Sequence, residues 1–229
     1  MLARQAGGAR VLDVRDPVEF AGAHLRGSLN IGLGGSYATW CGTLLKPEEE
    51  IVVIAEPGRE KEATTRLGRI GYDRVVGYLE GGMHPLDQRQ DLVDRTTRIT
   101  VANLAEQREA GESPTLLDIR NAGEWRAEHA AGSVNVPLGH LTEQIRDLPE
   151  GPVVVQCASG YRSSIAASLL TAMGRKDVSD LVGGTGGVGS SRLPCRKGMN
   201  EGIVMLLPIL FGTNVDTVAF SRRKRMRGS

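Results

Sequence analysis

The sequence predicts an α/β protein made of two copies of one domain, each a mostly parallel sheet with helices on both faces. Two observations predict it. First, a set of residues returns at a spacing of about 100. Leu12-Asp13-Val14-Arg15, Glu19, His24, Gly27-Ser28 and Asn30 recur with identical offsets as Leu117-Asp118-Ile119-Arg120, Glu124, His129, Gly132-Ser133 and Asn135. That period is too long for a solenoid repeat and fits a duplicated domain. Second, short, almost continuously apolar runs alternate with helical patterns, as expected when strands are buried on both faces of a parallel sheet.

In the second copy, strands are expected at 115–119, 133–136, 153–156 and 178–182, and helices at 101–110, 138–147 and 164–173. In the first copy, Ile51-Val52-Val53-Ile54 corresponds to Val153-Val154-Val155-Gln156, and Leu79-Glu80-Gly81-Gly82 to Leu181-Val182-Gly183-Gly184. The first copy has no counterpart of the leading segment at 98–101, and its start reads as clipped from a longer chain. The polar stretch 84–98, opening on His84-Pro85, reads as the connection. The expected division is residues 1–90, 91–195 and a C-terminal tail, 196–229.

Composition narrows the function classes. The 229 residues carry a net charge of +1, but 196–229 hold seven Lys/Arg against two Asp/Glu, leaving the body at −4. Nothing in that body points to nucleic acid. No apolar run is long enough to span a bilayer, and the N-terminus lacks a signal-peptide core, so a cytoplasmic protein without a membrane partner is expected. Three cysteines, Cys41, Cys157 and Cys195, are widely spaced and odd in number, which argues against a disulfide framework. The four histidines are scattered without metal-ligand spacing. No metal and no cofactor is expected.

The chemistry concentrates at Cys157-Ala158-Ser159-Gly160-Tyr161-Arg162-Ser163, between the apolar run Val153-Val154-Val155 and the helical pattern Ile165-Ala166-Ala167-Ser168-Leu169-Leu170. In open α/β sheets, sites lie beyond the carboxyl ends of strands. Backbone amides of a tight loop, with a helix N-terminus behind them, favour an anionic sulfur, and the thiolate is the nucleophile. Arg162 adds a fixed cation with planar hydrogen-bond donors. Tyr161 would shape the pocket mouth or stand idle in the loop. Ser159 and Ser163 would donate hydroxyl hydrogen bonds or cap the helix.

That loop resembles the active-site loop of the rhodanese family, the sulfurtransferases. Leu117-Asp118-Ile119-Arg120, Glu124, His129, Gly132, Asn135 and Pro137 are similar to the family's opening pattern. This sequence departs from the pattern with Glu128 before the histidine and Ala130-Ala131 after it. The tandem arrangement, and the wording from Gly27 to Gly35, look like the rhodanese half of fusions with metallo-β-lactamase-fold hydrolases or persulfide dioxygenases. The resemblance implies two rhodanese-like domains and covalent transfer of sulfane sulfur from thiosulfate or a persulfide. The sulfur would pass through a Cys157 persulfide, held by residues 158–163, to cyanide, a thiol or a protein cysteine. Those fusions also suggest a separate metallo-hydrolase as a partner, without showing that it hands sulfur to Cys157.

In the first copy the strand runs into Ala55-Glu56-Pro57-Gly58-Arg59-Glu60, with Ala55, or Ile54 after a one-residue slip, opposite Cys157. That copy lacks a nucleophile, and two glutamates oppose an anion there. Asp118, Arg120, Glu124 and His129 have counterparts Asp13, Arg15, Glu19 and His24 in the silent copy, so they are expected to support the fold.

Two rivals stand beside this reading. One is a phosphatase or arsenate reductase of related fold. Such sites usually place five residues between Cys and Arg, by family resemblance, where this loop has four. The other is a non-catalytic binding module. Gly184-Thr185-Gly186-Gly187-Val188-Gly189 mimics a dinucleotide fingerprint but closes a domain instead of opening one. The apolar 203–211 segment is expected to pack on a domain or on a partner chain, and the basic 222–227 run to remain as a solvated end.

Overall fold

The computed structural model describes residues 1–183 and 195–197; the 184–189 glycine run and the tail beyond residue 197 lie outside them. The first copy comprises α1 (Leu2–Ala6), β1 (Arg10–Asp13), α2 (Pro17–Gly22), β2 (His24–Leu25), β3 (Leu29–Asn30), α3 (Tyr37–Leu44), β4 (Ile51–Ile54), α4 (Glu60–Gly68) and β5 (Val75–Tyr78). Its parallel sheet runs in the order β3-β1-β4-β5. Ile51–Ile54 are buried at every position, which is why the strand is apolar throughout instead of alternating.

The stretch 84–98, expected as a polar connection, is ordered by both copies. Two 3₁₀ turns, His84–Leu86 and Gln90–Leu92, lead into β6 (Val93–Asp94), which pairs antiparallel with β2. Leu86, Leu92 and Val93 pack with Val11 and Leu25. Then β7 (Thr97–Ile99) joins the second sheet.

The second copy continues with α5 (Val101–Glu109), β8 (Thr115–Asp118), α6 (Ala122–Ala127), β9 (Glu128–Ala130), β10 (Val134–Asn135), α7 (Leu141–Gln144), β11 (Val153–Gln156), α8 (Tyr161–Ala172), β12 (Val178–Leu181) and β13 (Cys195–Lys197). Its parallel sheet is β10-β8-β11-β12-β7, and β13 pairs antiparallel with β9. The extra strand β7 comes from the leading segment that the first copy lacks. The 138–147 helix breaks into 3₁₀, α and 3₁₀ turns because the backbone leaves helical angles at His140 and Gln144. Helix α8 starts at Tyr161, three residues before its expected start, so Arg162 and the hydroxyls of Tyr161 and Ser163 ride on its first turn.

Both copies are stapled by the same contacts. Arg15 donates from Nε and Nη2 to Asp13 and from Nη2 to the Ala23 carbonyl. Arg120 does the same to Asp118 and the Glu128 carbonyl. Asn30 Nδ2 donates to the carbonyls of Asp13 and Arg15, and Asn135 Nδ2 to those of Asp118 and Arg120. His24 stacks on Phe20 at 3.9 Å and His129 on Trp125 at 3.8 Å. In both copies Nδ1 lies 2.8 Å from the carbonyl of the aromatic it stacks on.

The described residues of both copies belong to one compact unit. Leu12, Ile31 and Val53 of the first copy and Leu117, Val155 and Ile165 of the second share one buried apolar cluster. Among the described residues, no helix is long and apolar enough to cross a membrane. No group of three or more His, Cys, Asp or Glu among them is placed to hold a metal.

Burial raises the Asp13 pKa, and the Arg15 contacts offset part of that rise. Removing one partner of such a pair leaves the other buried and uncompensated. Asp13→Ala and Asp118→Ala are each expected to cost about 3–5 kcal/mol in urea unfolding. A cost below about 1 kcal/mol would show that the staple does not hold the fold.

Candidate active site

Cys157 is the first residue beyond β11, the central strand of the five-stranded sheet. Its strand ends in register with Asp118 of β8, just as β4 ends in register with Asp13 of β1. Ala55 therefore stands where Cys157 does, with no one-residue slip.

The loop turns back over the sulfur. Gly160 takes φ +97°, a left-handed conformation that favours glycine. This turn aims its amide at Cys157 Sγ, 3.0 Å away. The thiol donates to Ser163 Oγ at 3.5 Å, and Ser163 Oγ donates to the Gly160 carbonyl at 3.1 Å. The ring of contacts thus closes through Gly160. Helix α8 begins directly after it, so its N-terminal partial positive charge adds to the amide. Cys157 is free and fully enclosed, at 0% exposure. Ala158 and Ser159 are exposed on the outer side of the loop.

Arg162 is engaged by a carboxylate. Its guanidinium forms a two-pronged pair with Glu124, Nη1 to Oε2 at 2.7 Å and Nη2 to Oε1 at 2.8 Å. Glu124 also accepts from the Asn121 amide at 3.1 Å. The Arg162 hydrogen bonds hold the Glu124 carboxyl near a pKa of about 2, well below 4.5. The pair ties the first turn of α8 to α6. Asp118 and Arg120 lie beneath the site: Gln156 Nε2 donates to Asp118 Oδ2 at 2.9 Å, bracing the residue before the cysteine. His129 lies with Trp125, away from the sulfur contacts.

Tyr161 reaches into the first copy, where its hydroxyl donates to the Gly32 carbonyl at 2.8 Å. Ser159, Gly160 and Tyr161 line a cleft of about 420 Å³ whose opposite wall includes Asp16, Gly32 and Arg59. The first copy is thus part of the site's surroundings.

Sequence reasoning missed two residues here. Asp180, in register with Val155, is 2% exposed; burial raises its carboxyl pKa, and Ser163 and Arg98 partly offset this. Arg98 Nε donates to it at 3.3 Å and also lines the cleft. An aspartate inside the apolar run Val178–Val182 was the available signal.

The corresponding loop of the first copy has the same turn, with Gly58 at φ +90°. There the amide matching Gly160 donates to Glu60 Oε2 at 2.8 Å. A carboxylate occupies the donor that the thiol uses in the second copy. Cys41, the other described cysteine side chain, is buried in α3, which pushes its pKa up to about 12. It is a poor nucleophile near neutrality.

Comparison with known proteins gives a match to the rhodanese-like domain model over residues 1–87 and 100–190. YrkF of Bacillus subtilis is 28% identical over 106 residues, 46% of this chain and 55% of that protein. The adenylyltransferase and sulfurtransferase uba4 of Ogataea parapolymorpha is 29% identical over 96 residues, 41% of this chain and 24% of that protein. The chain thus spans about half, and about a quarter, of the lengths of these curated relatives. Among solved structures, a rhodanese-related protein of Thermoplasma volcanium matches at 29% identity and TM-score 0.39, covering 44% of this chain and 97% of that one.

The Glu124–Arg162 pair predicts a pH dependence. Because the folded-state pKa of Glu124 is depressed, its stabilisation is present above about pH 4.5 and is lost as the pH falls towards about 2. Glu124 is partly exposed, so solvent screening limits the pair to about 0.5–1 kcal/mol near neutrality. In urea unfolding, the stability gap between wild type and Glu124→Gln is expected to narrow across that acid range.

Proposed function

Because the chain belongs to the rhodanese-like family, we propose that residues 91–195 catalyse sulfur transfer through Cys157 while residues 1–90 perform no sulfur chemistry. The observation that carries this reading is the Gly160 amide on Cys157 Sγ, beyond the end of a central strand. The equivalent amide in the first copy is occupied by Glu60.

In the proposed cycle, the Cys157 thiolate attacks the outer sulfur of thiosulfate. A new S–S bond forms, the thiosulfate S–S bond breaks, and sulfite leaves with the electron pair. With a persulfide donor, the leaving group is the parent thiolate. The anionic outer sulfur of Cys157–S–S⁻ is stabilised by loop amides, with the α8 N-terminus behind them. A thiolate or cyanide then attacks that sulfur and regenerates the Cys157 thiolate. This is two-step covalent catalysis with ping-pong kinetics.

Since Sγ is enclosed, the donor approaches from the cleft that Ser159, Gly160 and Tyr161 line. Ser163, whose hydroxyl donates to the Gly160 carbonyl and accepts from the thiol, would turn that hydroxyl to the sulfur once the thiol is ionised. Arg162 acts by holding the loop to α6 through Glu124, and its remaining positive field favours an anionic donor. Free thiols at Cys41 and Cys157 suit a reducing compartment such as the cytoplasm. The arginine's engagement with Glu124 weighs against the phosphatase reading, in which it would hold the phosphate.

Incubation with thiosulfate, or with glutathione persulfide, is expected to add about 32 Da, one sulfur atom, to the intact protein. Cys157→Ser should abolish the adduct and cyanide-dependent thiocyanate formation, while Cys41→Ser should retain both. Hydrolysis of an aryl phosphate without any sulfur adduct would overturn the proposal.

A further inference from the structure

The face of α8 turned to the first copy carries Tyr161, Ser164 and Ser168, spaced for one side of a helix. Each makes a polar contact there. Tyr161 Oη donates to the Gly32 carbonyl at 2.8 Å. Ser164 Oγ donates to Asn30 Oδ1 at 2.8 Å, and the Asn30 amide donates to Ser168 Oγ at 2.9 Å. Two contacts end on one asparagine, whose own Nδ2 is held by Asp13 and Arg15 carbonyls.

The tyrosine seat is shaped for an aromatic ring. A Cβ placed on Gly35 would stand 2.4 Å from Tyr161 Cζ and 2.5 Å from Cε2, so a larger residue at 35 and this ring position exclude each other. The seat is braced from behind. The Leu33 amide donates to the Val14 carbonyl at 3.0 Å, and Arg66 Nη1 donates to the Leu33 carbonyl at 2.8 Å. Tyr161 directly follows Gly160, whose amide meets Cys157 Sγ. Any ring displacement that the Tyr161 side-chain torsions do not absorb is passed to the peptide that contacts the sulfur.

We infer that the first copy is a positioning device for the second: its glycine notch at 32–35 seats Tyr161 and thereby holds the Gly160 turn closed over Cys157. Tyr161 is a positioning residue in this account, and Gly35 sets its place from outside the domain that carries the cysteine. The inference rests on the loop at 157–163 being the reactive site, but not on which donor it uses.

The test is a double-mutant cycle in the full chain. Iodoacetamide labelling of Cys157 is resolved from Cys41 and Cys195 by peptide mapping, with melting temperature as a check on folding. Gly35→Ala is expected to displace the ring and open the loop, speeding Cys157 labelling by about threefold or more and slowing sulfur loading from thiosulfate by about tenfold. In a Tyr161→Ala background, Gly35→Ala should change neither rate by more than about 1.5-fold, because its only effect is through the ring. Tyr161→Phe, which keeps the ring and loses only the Gly32 contact, should show a smaller effect than Tyr161→Ala. If Gly35→Ala melts like wild type and labels like wild type, or if its effect persists undiminished without Tyr161, the inference is overturned. A wild-type protein that takes no sulfur, yet shows the labelling coupling, would instead defeat the sulfur-transfer proposal and leave the positioning role standing.

Discussion

Enclosure of α8 between two sheets is the constraint on which the site depends. Ser163 through Leu170 are all buried, which a helix on the surface of a single domain would not be. One face lies on the β11–β12 side of its own sheet and the other on β3 of the first copy. The sequence meets this demand with small residues, Ser163, Ser164, Ala166, Ala167 and Ser168, that let neighbouring backbones approach, and with Ile165, Leu169 and Leu170 filling the remaining volume. Burying each of the larger apolar side chains contributes roughly 1.5–3 kcal/mol. A helix held so firmly fixes its own N-terminus, and the amide at that N-terminus meets the cysteine.

Duplication explains how the scaffold and the chemistry came apart. The Asp–Arg staple, the asparagine clamp on two carbonyls and the histidine stacked on an aromatic ring occur in both copies with nearly the same distances. These groups satisfy buried polar atoms that any copy of this fold must satisfy, with or without a nucleophile. The loops differ at the positions where an anion would be held. One copy places a thiol beneath the glycine turn, and the other places Ala55 there and folds Glu60 onto the equivalent amide. A carboxylate bound at that amide both occupies the donor and repels a second anion.

Charge at the second loop is arranged for order more than for attraction. Arg162 has both terminal nitrogens on Glu124, and Glu124 in turn accepts from a backbone amide at the start of α6. This network leaves the sulfur's direct contacts to neutral groups, the Gly160 amide and the Ser163 hydroxyl. Asp180, buried two strands from β8 and paired with Arg98, places a second ionic cluster on the cleft side of the loop.

Periodicity, repetition and local spacing decided much of this protein. The recurrence of Asp13-Val14-Arg15 as Asp118-Ile119-Arg120 marked two copies, and the uninterrupted apolar runs at 51–54 and 153–156 marked central parallel strands. Both are local or repeated patterns imposed by burial on two faces. The cysteine loop was legible for the same reason: strand, tight turn and helix are consecutive in the chain. Residues far apart in sequence were decided only by the tertiary structure. Nothing near Arg162 indicated that Glu124, 38 positions away, would claim its guanidinium. Nothing near Tyr161 indicated that its ring would enter a notch made by Gly32 and Gly35, although Tyr161, Ser164 and Ser168 share one helix face. Which surface such a face meets depends on how two sheets pack together, and side-chain spacing along one chain segment carries no information about that.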